Sequence, residues 1–334
     1  MVWCRIQALL VCLAVTSVLV TALPPLALNQ DLFRRINKNS KTSNQDGDPG
    51  IFPGGKNSFA RDGWRVLPPI DGAYIDNSTF KVDDKGSFLT AYVTKDYNAS
   101  KIKRAVIQIH GQYRDSWNQF TYVSNSLKAA ASRKVIQEDE ALIITPMFFA
   151  IMDKGAYPVN KDNISSSKAL VWDDYTWGEC QNAVLPSYNK KGELANPSYS
   201  AKRSGIPVDD LSEHVEGKRA LAETSRAKAK AKGPEVAAPD ALDSIIDFLS
   251  DENKFPNLEK IVLSGFSMGA QLVNRYLAMR PTSPQDSKLL FVISSPASLM
   301  YLTPHRPLEV PKNCPHYNNY KYGLDGKMPD YLSL

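Results

Sequence analysis

The chain has 334 residues, 43% of them hydrophobic and 22% charged, and a formal charge of +5 from 40 basic and 35 acidic side chains. That length accommodates one large domain with insertions or two small domains. So small a charge excess gives no warrant for a nucleic-acid partner, and no glycine-rich phosphate loop, zinc spacing or calcium loop calls for a nucleotide or metal cofactor.

Met1 to Ala22 reads as a secretory signal peptide: Arg5, an apolar run from Ala8 to Val20, then Val20-Thr21-Ala22 ahead of Leu23-Pro24-Pro25. The run is short for a membrane span, so the expectation is an extracellular chain without a stable span after cleavage, with a retained signal anchor as the alternative. Cleavage removes Cys4 and Cys12. In an oxidising compartment the remaining Cys180 and Cys314 are expected to pair, the alternative being that neither has a partner in this chain. Three N-x-S/T sequons, at Asn77, Asn98 and Asn163, fit an exported glycoprotein. Residues 23–63, rich in Asn, Lys, Ser, Asp and Gly, read as a flexible leader, and the folded domain is expected over 64–334.

Within that domain Arg65-Val66-Leu67 and Phe88 to Val93 read as strands, and Ala105 to Ile109 as a buried strand ending at His110-Gly111-Gln112-Tyr113. Ser116 can cap a helix running to about Lys134, with Phe120, Val123, Leu127 and Ala131 on one face. Ala141 to Thr145 is a further parallel-type strand. The connection 147–238 is far longer than an ordinary strand-to-helix loop. Its aromatics, Phe148, Phe149, Tyr157, Trp172, Tyr175 and Trp177, read either as a lid or pocket wall or as a satellite core; its later part, 213–232, interleaves alanine with lysine and arginine like a solvated basic segment. Pro239 to Leu249 reads as an amphipathic helix.

Ile261-Val262-Leu263 is a strand of the kind a parallel sheet buries. Gly265-Phe266-Ser267-Met268-Gly269 follows, then a helix with Leu272, Val273, Tyr276 and Leu277 at helical spacing, stopped by Pro281. A strand, a G-x-S-x-G turn and a helix in that order make a nucleophile elbow: the glycines stand where a Cβ would meet neighbouring chain, and the helix start offers N–H groups to a developing negative charge. On these residues the chain resembles the α/β-hydrolase fold, in particular its secreted fungal-type members. The resemblance covers about Phe88 to Ala297 and implies a doubly wound, mostly parallel sheet. It implies Ser267 as nucleophile, Met268 as one oxyanion donor, and the turn after the third strand as the source of the second, with Gly111 allowing close approach and Gln112 or Tyr113 donating. His110 then shapes that loop, or is simply satisfied at a strand end.

Leu289 to Ser295 makes one more strand. A serine nucleophile needs a general base and an orienting carboxylate, which in this fold follow in the order acid then histidine. The segment after Ser295 carries His305 and His316 with Glu309, Asp325 and Asp330 but no further clear strand, so Glu309 with His316 is a weak base pair and the fold is expected to be C-terminally shortened. Two functions follow from this reading. One is a secreted serine hydrolase of a small-molecule or lipid ester or related acyl bond. The other is a shortened, catalytically silent binding module or an incomplete gene product.

Overall fold

The computed structural model describes residues 63–157, 168–189, 191, 193–194 and 233–332, all within the unit Asn44–Leu334. The signal segment, the sequon at Asn163 and the basic stretch 213–232 lie outside the described residues.

Six strands form one sheet: β1 (Ala73–Asp76), β2 (Thr90–Thr94), β3 (Arg104–Ile109), β4 (Ala141–Met147), β7 (Lys260–Phe266) and β8 (Leu289–Ser294), in the spatial order β1-β2-β4-β3-β7-β8. The last four run parallel, while β1 and β2 are antiparallel additions. Two short strands, β5 (Phe149–Ala150) and β6 (Val171–Trp172), pair beside it. Three helices cover the sheet: α1 (Ser116–Ser132), α2 (Ala238–Ser250) and α3 (Met268–Met279). This is a doubly wound, mostly parallel α/β sheet of the α/β-hydrolase type.

The two faces of the sheet are legible in the side-chain alternation of β4, which is buried throughout. Leu142 and Ile144 join Ile107, Ile261 and Leu263 under α2 and α3, whereas Ile143 and Met147 meet Trp117 and Phe120 of α1 on the other face. At the outer edge β8 alternates differently, with Leu290 and Val292 about half exposed and Phe291 and Ile293 packed inward.

Local chemistry shifted two boundaries. Arg65-Val66-Leu67 is not a strand; the first strand is Ala73–Asp76, which pairs with β2. Asp115 is the N-cap of α1 rather than Ser116, because Ser116, already helical, donates its hydroxyl to the Pro146 carbonyl at 2.6 Å. The expected Cys180–Cys314 disulfide is absent: both thiols are free, Cys180 sealed in the core and Cys314 exposed. Burial pushes the Cys180 thiol up to about 12, so it stays protonated and inert. Asn77 and Asn98 are exposed; the Asn98 side chain caps a short turn by accepting from the Ser100 N–H.

Candidate active site

Ser267 lies between β7 and α3 with φ 53° and ψ −112°, a conformation that L-residues rarely adopt and that turns its side chain out of the strand-to-helix corner. The flanking glycines explain how so tight a corner is reached. A Cβ on Gly265 would lie 2.3 Å from the Gly269 carbonyl oxygen, and one on Gly269 would lie 2.5 Å from the His110 oxygen and 2.7 Å from that of Ile109. Helix α3 therefore starts pressed against the end of β3. Ser267 donates its own N–H to the Ser294 carbonyl of β8 at 2.9 Å, which leaves Met268 as the first N–H at the helix start, near the positive end of the α3 dipole.

The turn after β3 stands across from the serine. A Cβ on Gly111 would reach 3.4 Å from the Ser267 Cβ, so the two residues approach closely. Arg114, at φ 55°, closes the turn by donating its N–H to the Gly111 carbonyl at 3.1 Å. Its guanidinium is wholly buried and donates through Nη1 to the Gln112 carbonyl at 2.9 Å. In a trans peptide the carbonyl and the following N–H point in opposite directions, so this bond turns the Tyr113 N–H away from Arg114. Trp64 fixes the next carbonyl, its Nε1 donating to Tyr113 at 2.7 Å. Among the described residues the N–H groups of Gln112 and Tyr113 carry no hydrogen bond, as an anion-binding turn requires.

Beneath the turn lies an ion pair that sequence reading missed. Arg114 donates to Asp153 from Nε at 2.7 Å and from Nη2 at 3.0 Å, with both side chains fully excluded from solvent. Asp153 also accepts the backbone N–H groups of Trp64 and Ala150, at 2.9 and 2.8 Å. No local signal joins two residues 39 positions apart, the second inside an aromatic stretch.

His110 is a framework residue. Its Nε2 accepts from the Phe148 N–H at 3.0 Å and its Nδ1 donates to the Gly111 carbonyl at 2.8 Å, which fixes a neutral ring protonated on Nδ1. Burial, opposed only in part by the Gly111 bond, pushes its pKa down to about 3. Phe148 and Trp177 pack on the ring, so these two aromatics of the 147–238 connection belong to the core behind the turn. Gly178, next in line, leaves room for Met268: a Cβ there would meet its Sδ at 2.5 Å.

The proposed base pair makes no hydrogen bond to Ser267 among the described residues. His316, Glu309 and His305 are exposed, and His316 Nδ1 faces the Asn319 amide at 3.2 Å. Among the described residues no side chain hydrogen bonds the Ser267 hydroxyl; the remaining histidine, His214, lies outside them. Nor do the described residues contain a group of three acidic, histidine or cysteine side chains that could hold a metal ion, or a helix long and apolar enough to cross a membrane.

One carboxylate under α1 gives the fold a pH dependence. Burial pushes Asp115 up to about 6, against the lowering effect of its bond from Asn118 Nδ2 at 2.9 Å. A folded-state pKa raised above the unfolded value means that the native state holds the extra proton, so stability falls as pH rises between about 4 and 6, by roughly 1.4 kcal/mol per pH unit. Asp115→Asn removes this slope. Urea unfolding at pH 4 and pH 7 should show the variant gaining about 3 kcal/mol on the parent across that interval; an unchanged difference would show that Asp115 ionises without penalty.

No protein-family model matches the sequence, and no curated protein matches it. Solved structures similar to this chain include poly(aspartic acid) hydrolase-1 from Sphingomonas sp. KT-1, at 11% identity over 78% of this chain and 64% of that one, with a TM-score of 0.30. LpqC, a poly(3-hydroxybutyrate) depolymerase from Bordetella parapertussis, is similar at 15% identity over 76% and 56%, with a TM-score of 0.26. So is the esterase Est2 from Thermogutta terrifontis, at 13% identity over 74% and 61%, with a TM-score of 0.26. The chain thus spans between 56% and 64% of the length of these three structures. The superpositions are loose, and the fold rests on the chain's own strand order and elbow.

Proposed function

We propose that this chain is an exported serine hydrolase that cleaves an ester or related acyl bond through Ser267. The observation that carries the proposal is the backbone of Ser267: φ 53° between an ordinary strand and an ordinary helix, kept by two glycines that admit no Cβ. Strain of this kind persists where the surrounding structure over-determines it, and here it presents a hydroxyl to a turn with unused N–H groups.

In the reaction the Ser267 Oγ bonds to the acyl carbon while the carbonyl oxygen takes the negative charge, held by the N–H groups of Met268 and Tyr113. Tyr113 is preferred over Gln112 because Arg114 sets the orientation of its peptide. The ester C–O bond then breaks, the serine proton leaves with the alcohol, and water releases the acid from the acyl-serine. His110 takes no part as a base, because both its nitrogens are bonded and its pKa is low. The signal-like segment at 1–22 supports export.

The second reading, a binding protein that keeps the elbow without the chemistry, is favoured by one observation: no base reaches Ser267 among the described residues. Fluorophosphonate labelling separates the two, since it reports a serine activated by a neighbouring base. The full chain should label, and Ser267→Ala should not. A folded, soluble chain that takes up no probe would establish the binding reading instead.

A further inference from the structure

Arg275 stands on α3 with no charge to answer its own. It is fully buried, no carboxylate pairs with it among the described residues, and its Nε makes no hydrogen bond there. The carboxylate of nearby Glu179 is engaged by Lys321. A guanidinium taken out of water without a counter-ion costs stability, so stability alone does not account for an arginine at this position.

What Arg275 holds lies beside the elbow. Through Nη1 it donates to the Gly178 carbonyl at 2.8 Å, and through Nη2 to the Ser298 hydroxyl at 3.1 Å and the Lys321 carbonyl at 3.4 Å. Met268, Gln271 and Arg275 follow one another at three- and four-residue spacing and share one face of α3. A long side chain on a helix leans toward the N-terminus, which carries the guanidinium back along that face toward Met268. Gly178 rests on the same face: a Cβ there would lie 2.5 Å from the Met268 Sδ, 2.7 Å from its Cγ and 3.5 Å from its backbone oxygen.

Gly178 belongs to the short turn Thr176–Glu179, and that turn touches both sources of oxyanion N–H groups. Gly178 meets Met268. Its neighbour Trp177 packs edge-on against His110, with ring centroids 4.8 Å apart, and His110 donates Nδ1 to the carbonyl of Gly111, where the opposing turn begins. We infer that Arg275 is a positioning residue for the oxyanion site: by holding the Gly178 carbonyl it keeps the turn 176–179 seated on Met268 and His110, and with them the N–H groups that face Ser267. The catalytic meaning of this assignment rests on the hydrolase reading; the seating of Met268 does not.

Two readouts on the full chain test it. Fluorophosphonate labelling followed against probe concentration separates the maximal rate from the concentration that gives half of it. The Met268 amide signal, measured by nuclear magnetic resonance on protein carrying isotope-labelled methionine and assigned by its loss in Met268→Leu, reports the donor without catalysis. Arg275→Leu should lower the maximal labelling rate about tenfold to a hundredfold, leave the half-maximal concentration unchanged and move the Met268 signal. Arg275→Lys, which keeps a donor for the Gly178 carbonyl, should return both readouts toward the parent. Ser298→Ala, which leaves the Gly178 bond in place, should alter neither. A folded Arg275→Leu that labels at the parent's maximal rate, or an Arg275→Lys no better than it, would overturn the assignment. Should Arg275→Leu not fold, Gly178→Ala decides, because its new methyl group meets a flexible thioether: slowed labelling with a displaced Met268 signal supports the seating, and parent behaviour in both overturns it. A parent chain that takes up no probe while the Met268 signal follows Arg275 keeps the seating and sinks the hydrolase reading. Full labelling of Arg275→Leu with a stationary Met268 signal does the reverse.

Discussion

Asp153→Ala is expected to destabilise the protein by about 3–5 kcal/mol, because it leaves the guanidinium of Arg114 buried without its counter-ion. Both side chains are completely enclosed, and Asp153 accepts from Arg114 Nε and Nη2 and from the backbone of Trp64 and Ala150. Alanine removes both acceptor oxygens and with them all four hydrogen bonds. The sign reverses for the pair: Arg114→Met with Asp153→Leu removes both charges together and should recover much of the lost stability, since a buried ion pair seldom outperforms apolar side chains of similar volume. Stability and function should then part company. The double variant has no donor for the Gln112 carbonyl, so the turn facing Ser267 is no longer fixed, and fluorophosphonate labelling should stay well below that of the parent even in a stable protein. Urea unfolding of the three proteins decides the matter. A single variant within 1 kcal/mol of the parent, or a double variant no more stable than the single, would show that the ion pair does not hold this turn.

Gly265→Ala is expected to cost about 3 kcal/mol or more. The new Cβ would sit 2.3 Å from the Gly269 oxygen, 2.4 Å from its carbonyl carbon and 2.6 Å from the Ala270 nitrogen. All three are backbone atoms of the first turn of α3, so no side-chain rotation relieves the clash. Either α3 moves off β7 or the Ser267 corner opens; each weakens the packing of Leu272 and Val273 on the sheet. Gly72→Ala is the control. Nothing lies within 4 Å of its Cβ position, and only the φ of +78° opposes the change, so it should cost about 1 kcal/mol. Equal losses at the two sites, read from chemical unfolding, would mean that backbone conformation rather than the β7–α3 contact limits the elbow.

What could be read in advance was local. The glycine spacing around Ser267 is a short motif, and in the structure it corresponds to Cβ positions blocked at Gly265 by the backbone of Gly269 and Ala270 and at Gly269 by the backbone of Ile109 and His110 at the end of β3. The helices over 116–132, 238–250 and 268–279 follow from apolar residues at helical spacing, and β3, β4, β7 and β8 from runs of aliphatic side chains. β1 escaped notice because a four-residue strand, Ala-Tyr-Ile-Asp, carries too short an alternation to stand out.

The sequence by itself determined the elbow, the helices and the parallel strands, because side-chain periodicity and the G-x-S-x-G spacing are both carried by residues close together in the chain. Only the tertiary structure decided which polar groups would meet. It carried Asp153 under Arg114, packed His110 edge-on against the stacked Phe148 and Trp177, and held Cys180 inside the core while Cys314 stayed outside. Desolvation is the physical reason. Whether a guanidinium, an imidazole or a thiol is charged, bonded or reactive depends on the water it loses, and that is set by segments distant in the chain closing over it.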